Sequence, residues 1–189
     1  MRRPTPADQE LEQALHAAQD GDPHGFAQLW RGLQPAVLRY LRVVIGDQAE
    51  DAASETWLHV IRDLGRFTGD LAAFRGWLFR IARHRALDLR RRRFVAPGTA
   101  VDGVALDAAT LAIEGFGTDW ALRIIATLPA DQAEAVMLRI VAGLDVATTA
   151  HILGKRPGAI RIATMRGLRR LATHPQVGAR TAPASAGEV

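Results

Sequence analysis

Apolar residues recur every three or four positions through two long parts of this chain, and the recurrence collapses in the stretch between them. That spacing lines one face of an α-helix, whereas a strand requires alternation at two, so the pattern points to an all-α fold. Helices are expected to open near Asp8 and again near Pro23, where Phe26, Leu29, Trp30, Leu33, Val37 and Leu41 form a stripe, and Gly46-Asp47 closes that pair. Ala53, Trp57, Val60, Ile61 and Leu64 make the next stripe, over residues 49–64. Glu50, Asp51 and Glu55 share its early turns, where carboxylates favour a helix N-terminus and form an acidic, exposed face. Phe74, Trp77, Leu78, Ile81 and Ala82 define another helix, with Arg80, Arg83, His84 and Arg85 largely off its stripe and Arg90-Arg91-Arg92-Arg93 at its end.

Between Phe94 and Asp119 the period fails, glycine and proline interrupt, and every charge is acidic: Asp102, Asp107, Glu114 and Asp119. Patterning returns at Trp120, Leu122, Ile124 and Ile125, then at Ala133, Val136, Met137, Ile140 and Val141, ending at Gly143. The expected organisation is a helical domain over 8–94, a flexible acidic linker over 95–118, a second helical domain over 119–174 and a mobile tail over 175–189. A chain of 189 residues with 48% apolar content is long enough for two small cores, and the interrupted pattern favours two over one.

The formal net charge is only +4, but the cations are bunched and almost all arginine, with Lys155 the sole lysine. Arginine keeps its charge at physiological pH and offers a planar fork to phosphates and guanine edges, so its clustering favours nucleic acid. Between Arg75 and Arg93 there are eight arginines against Asp88 alone, more than capping a helix C-terminus requires. Arg83, Arg85, Arg90, Arg91, Arg92 and Arg93 could neutralise several phosphates at once. Phe67, before the helix, and Phe79, just off its stripe, are candidates to stack on unpaired bases, while Phe74 and Trp77 belong to the core.

In the second half, Val146-Ala147-Thr148-Thr149-Ala150-His151-Ile152-Leu153-Gly154 precedes Lys155-Arg156-Pro157-Gly158-Ala159-Ile160-Arg161. The order reads as helix-turn-helix: Ala150 lets two helices approach, Gly154 permits the turn and Pro157 is preset for a first helical turn. The second helix of such a motif enters the major groove by its N-terminal end, which puts Arg156 and Arg161 near base edges or phosphates and Lys155 near the backbone. Arg166, Arg169 and Arg170 continue the basic face, and Thr164 and Arg166 join the candidate DNA-binding set.

Catalysis is disfavoured. Ser54 and Ser185 are the only serines, cysteine is absent, and neither a Gly-rich phosphate loop nor a histidine pair at metal-ligand spacing occurs, so no cofactor or metal is expected. The absence of cysteine fits a reducing cytoplasm. Without an apolar h-region or a run of roughly 18 apolar residues, a cytosolic chain with no membrane span is expected.

Three segments in order resemble the extracytoplasmic-function (ECF) group of bacterial sigma-70 RNA polymerase sigma factors. They are Ala49-Glu50-Asp51-Ala52-Ala53-Ser54-Glu55-Thr56-Trp57, then Phe74-Arg75-Gly76-Trp77-Leu78-Phe79-Arg80-Ile81-Ala82-Arg83-His84-Arg85-Ala86-Leu87-Asp88, then residues 128–170. The resemblance covers roughly 22–173 and implies a sigma region 2 followed by a region 4, binding core RNA polymerase and promoter DNA. It implies that Glu50, Asp51, Glu55 and Trp57 dock on the clamp helices of the largest polymerase subunit. It further implies that residues 65–93, through Phe67, Phe79, Arg80, Arg83, His84, Arg85, Arg90 and Arg91, read and melt the minus-ten element. Lys155, Arg156, Arg161, Thr164 and Arg166 would meet the minus-thirty-five element. With a first helix near Asp8 there is no room for an N-terminal autoinhibitory region, so the expected regulator is an anti-sigma factor. Arg156 and Ala159 replace the small hydroxyl residues usual around the turn; the missing cap costs about 1 kcal/mol, which Pro157 partly offsets. The competing readings are a stand-alone helix-turn-helix regulator, which would bind duplex DNA without polymerase, and a helical adaptor for acidic proteins.

Overall fold

The computed structural model describes residues 5–95 and 116–177. Among these the secondary structure is helical throughout, with α1 (Pro6–Gln19), α2 (Pro23–Ile45), α3 (Ala49–Asp63) and α4 (Leu71–Val95) in the first domain. The second contains α5 (Phe116–Ala126), α6 (Ala130–Val136) with a π turn over Met137–Val141, α7 (Val146–Leu153) and α8 (Pro157–Ala172). Most of the expected linker, residues 96–115, and of the expected tail, 178–189, lies outside the described residues.

Local chemistry sets the helix starts. Thr5 and Asp8 form a reciprocal cap on α1: Thr5 N–H donates to Asp8 Oδ2 at 3.0 Å and Asp8 N–H to Thr5 Oγ1 at 3.2 Å. Arg75 Nη2 also donates to Asp8 Oδ1 at 2.8 Å, tying α1 to α4. These bonds, the Thr5 backbone donor first, hold the Asp8 carboxyl at about 2, below its ordinary 3.8. A carboxylate depressed in the folded state stabilises fully above the unfolded value and loses that contribution as pH falls from about 4 to about 2. Asp8→Asn is therefore expected to cost about 1 kcal/mol at neutral pH, modest because the group is near the surface, and progressively less below pH 4. Urea denaturation of both proteins at two pH values checks this; a pH-independent difference would refute the linkage.

Helix α4 begins three residues before the apolar stripe does. Asp70 Oδ1 accepts from Ala73 N–H at 2.8 Å, and Glu12 Oε2 accepts from Leu71 N–H at 2.9 Å, so two orphan donors are satisfied. Helix α5 likewise starts at Phe116, inside the expected linker, with Asp119 in its first turn.

In the first domain α4 packs against both α2 and α3, which also pack on each other. Tyr40, Phe74, Phe79, Leu29, Leu41 and Leu78 are fully buried there. In the second domain α6 packs on α8, and Asp145 caps α7 by accepting from Thr148 N–H at 2.7 Å. That donor, above all, lowers the Asp145 pKa. Gly154 ends α7 with φ +62°, a left-handed conformation that glycine adopts without strain, and Pro157 opens α8. Arg156, the residue before Pro157, makes no side-chain cap, as its chemistry dictates.

The two domains are distinct in sequence yet touch. Helix α2 contacts α5 and α6, α4 contacts α7, and the buried apolar residues of both halves form one continuous cluster. The expectation of two cores is modified accordingly: they are joined.

Candidate polymerase and nucleic-acid interfaces

On α3, Asp51, Ser54, Leu58, Ile61 and Arg62 are exposed and Glu55 is half-buried. Their spacing places them on one outward stripe. Glu50 is also exposed and pairs with Arg42 at 3.0 Å. Trp57, expected on this surface, is instead only 5% exposed. Its ring meets Phe26 edge-on at 5.9 Å, and its indole N–H donates to Gln34 Oε1, so it belongs to the interface between α3 and α2. Sequence reasoning missed the apolar part of the outer face. Leu58 is 66% and Ile61 56% exposed, and they lie seven residues after Asp51 and Ser54, a spacing that identifies one helical side.

The basic helix α4 divides its residues differently from its period. Arg80, His84, Arg90 and Arg91 are exposed, while Arg83 and Arg85 are partly buried and engaged. Arg83 Nε donates to Glu134 Oε1 at 3.2 Å. Arg85 Nη2 lies 3.1 Å from His59 Nδ1, and Arg85 also approaches Asp88 at 3.8 Å. On its other side His59 Nε2 meets Asp63 Oδ2 at 3.1 Å. Burial first, and the nearby Arg62 cation second, lower the His59 pKa below 6.5.

Phe79 corrects a second expectation. It is 1% exposed and meets Tyr40 edge-on at 5.7 Å, so it has no face to offer a base. A helix flanked by two neighbours buries a wider arc than its strongest stripe predicts, and Phe79 falls in the extra arc. Phe67 is half-buried, stacked on Trp77 with ring centroids 5.2 Å apart and edge-on to Phe74 at 5.5 Å. Its carbonyl accepts from Gln19 Nε2 at 2.7 Å, fixing the loop that carries it. Phe67 lines an open cleft of about 830 Å³ whose walls also include Arg66, Trp77 and Arg80.

On α8, Ile160, Ala163 and Gly167 turn to the core, and Arg156, Arg161 and Arg166 are exposed. The basic side is thus the outward side. Lys155 sits before the helix, 3.8 Å from Asp131 across a solvent-facing gap. Thr164 departs from expectation: its hydroxyl is enclosed without a hydrogen-bond partner, so it does not face the outer surface with the arginines. Residue 164 lies four after Ile160, close to the core-facing direction.

Among the described residues, no helix is long and apolar enough to cross a membrane. The Sigma-70 region 2 family model matches residues 29–94, and the Sigma-70 region 4 model matches residues 118–171. The chain is 33% identical over 173 residues to the ECF RNA polymerase sigma factor ShbA of Streptomyces griseus, covering 83% of this chain and 91% of that one. It is 30% identical over 175 residues to the ECF sigma factor SigD of Mycobacterium tuberculosis, covering 86% and 82%. Two solved structures share the fold. CnrH, in complex with the cytosolic domain of CnrY, has a TM-score of 0.60 at 21% identity, covering 86% of this chain and 95% of that one. RpoE of Bartonella quintana, in complex with the anti-sigma factor NepR, has a TM-score of 0.59 at 24% identity, covering 78% and 94%. With region 2 and region 4 matched in order onto the two helical domains, and relatives aligned over most of their length, the chain belongs to the ECF RNA polymerase sigma factors of the sigma-70 family.

Proposed function

We propose that the work of a promoter-directing sigma factor is divided here among three faces: the outer stripe of α3 docks on core RNA polymerase, α4 with the loop before it holds the melted minus-ten strand, and α8 reads the minus-thirty-five element. The observation that carries this reading is α8 itself. Its core side is small and apolar while Arg156, Arg161 and Arg166 stand outward, the arrangement of a helix that enters a major groove by its N-terminal half. The acidic segment within 95–118 connects the domains and disfavours stable hold on DNA. No step of chemistry is assigned to the chain; its relatives are transcription factors. An anti-sigma factor is the proposed regulator and the cytoplasm the proposed compartment, the first supported by the complex in which the RpoE relative was solved.

Run-off transcription from fragmented genomic DNA, with core polymerase alone and with the chain added, tests the reading. New discrete transcript starts support it. Tight duplex binding by the chain alone, with no gain in transcription, would favour a stand-alone regulator. On the promoters so identified, Arg161→Ala is expected to relax discrimination at one upstream base pair by roughly 1 to 3 kcal/mol. A promoter library read by sequencing measures it, and unchanged preference would assign Arg161 to the phosphate backbone.

A further inference from the structure

Helix α1 lies ahead of residues 29–94, the span matched by the region 2 model, yet three of its side chains reach the segment that carries Phe67. Gln19 Nε2 donates to the Phe67 carbonyl at 2.7 Å, and Glu12 Oε2 accepts from Leu71 N–H at 2.9 Å. Arg75, about one turn further into α4, donates to Asp8 Oδ1 at 2.8 Å. These partners are 48, 59 and 67 residues apart in sequence. Glu12 and Gln19 follow Asp8 by four and eleven positions, offsets that put all three on one side of the helix. Gln19 thus holds the residue where the loop 67–70 begins, Glu12 the residue that follows it and Asp8 the helix beyond.

Between the two held ends Thr68, Gly69 and Asp70 are exposed, so burial does little to fix the loop. Gly69 has φ +141°, and a Cβ on it would lie 2.9 Å from Ala73 Cβ and 3.3 Å from Phe67 Cζ, so the backbone folds back closely over the aromatic ring. That ring is in turn stacked on Trp77. An exposed segment left unrestrained carries conformational entropy that a bound strand must remove, and a segment already held in its binding shape avoids that loss.

We infer that α1 is the positioning element of the minus-ten strand site: Gln19 and Glu12 brace the two ends of the loop and set strand affinity without touching the strand. The inference deepens the reading of α4 and its preceding loop as the strand-holding face, and rests on it. The two braces have different chemical requirements. The Phe67 carbonyl needs a donor, which the Gln19 amide supplies and an ionised carboxylate cannot; Leu71 N–H needs an acceptor, which a carboxylate and an amide both supply.

The test uses holoenzyme assembled from core polymerase and the full chain, with a fluorescent single strand carrying the non-template minus-ten sequence of a promoter found by run-off transcription. Gln19→Glu keeps the side chain's size and removes the donor; Glu12→Met keeps its length and removes the acceptor. By fluorescence anisotropy each is expected to weaken strand affinity at least fivefold, while affinity of the chain for core polymerase stays within about twofold of the parent. Glu12→Gln keeps the acceptor and is expected to recover most of the affinity that Glu12→Met loses. Parent-like strand affinity in both Gln19→Glu and Glu12→Met, or equal losses in Glu12→Gln and Glu12→Met, would overturn the positioning role. Parallel losses of strand and polymerase affinity would overturn it too, since they mark a general defect of the domain. A parent holoenzyme that does not hold this strand would instead overturn the reading of α4 on which the inference rests.

Discussion

Trp57→Ala is expected to lower the stability of the first domain by about 3 to 5 kcal/mol, the range for deleting a large buried aromatic side chain. The indole is 5% exposed and edge-on to Phe26, and its N–H satisfies Gln34, so the substitution leaves a cavity and an unpaired amide oxygen. Domains of this size are stable by only about 5 to 15 kcal/mol, so much of the protein would populate the unfolded state under mild denaturant. Urea titration followed by circular dichroism measures the loss. A change below about 1 kcal/mol, with weakened polymerase binding, would return Trp57 to the docking surface where its neighbours in sequence lie.

Leu58→Ala combined with Ile61→Ala should behave in the opposite way. Both side chains are more than half exposed on the outer stripe of α3, so the fold loses almost nothing and the melting temperature stays close to that of the parent. If the stripe docks on polymerase, the lost apolar contact is worth roughly 1.5 to 3 kcal/mol, about tenfold to a hundredfold in Kd. Fluorescence anisotropy with labelled chain and core polymerase reads this directly. Unaltered affinity would move the docking surface elsewhere, because the acidic rim alone, screened by salt, contributes little.

The two variants mark where sequence legibility ends. Helical period located the elements of both domains, and local chemistry located the turn at Gly154 and the start at Pro157, because these depend on neighbours a few positions away. Which residues of a stripe face a partner depends on how many neighbours the helix has. Phe79 lies just off the apolar stripe of α4, but α4 is packed against several helices, so that position is buried as well; Trp57 lies on the apolar stripe of α3, and only the resemblance placed it on the docking surface. Leu58 and Ile61 were passed over because an apolar residue in an amphipathic helix is ordinarily core. Glu134, which joins Arg83 and Tyr40, gave no local signal: its partners lie 51 and 94 residues away in sequence.

The histidine between α3 and α4 has a consequence for how the two working faces are aligned. Guanidinium groups only donate, so His59 Nδ1, which faces Arg85 at 3.1 Å and Arg62 at 3.3 Å, must present its lone pair. Asp63 only accepts when ionised, so Nε2 must carry the hydrogen. One tautomer is thereby selected, and the imidazole acts as a directional strut that aims the Arg85 fork from the helix beside it. Nitrogen chemical shifts of the ring would display that tautomer as an Nδ1 acceptor and an Nε2 donor. Loss of the asymmetry when either helix binds its target would report, at a single atom pair, that the angle between the two helices has changed.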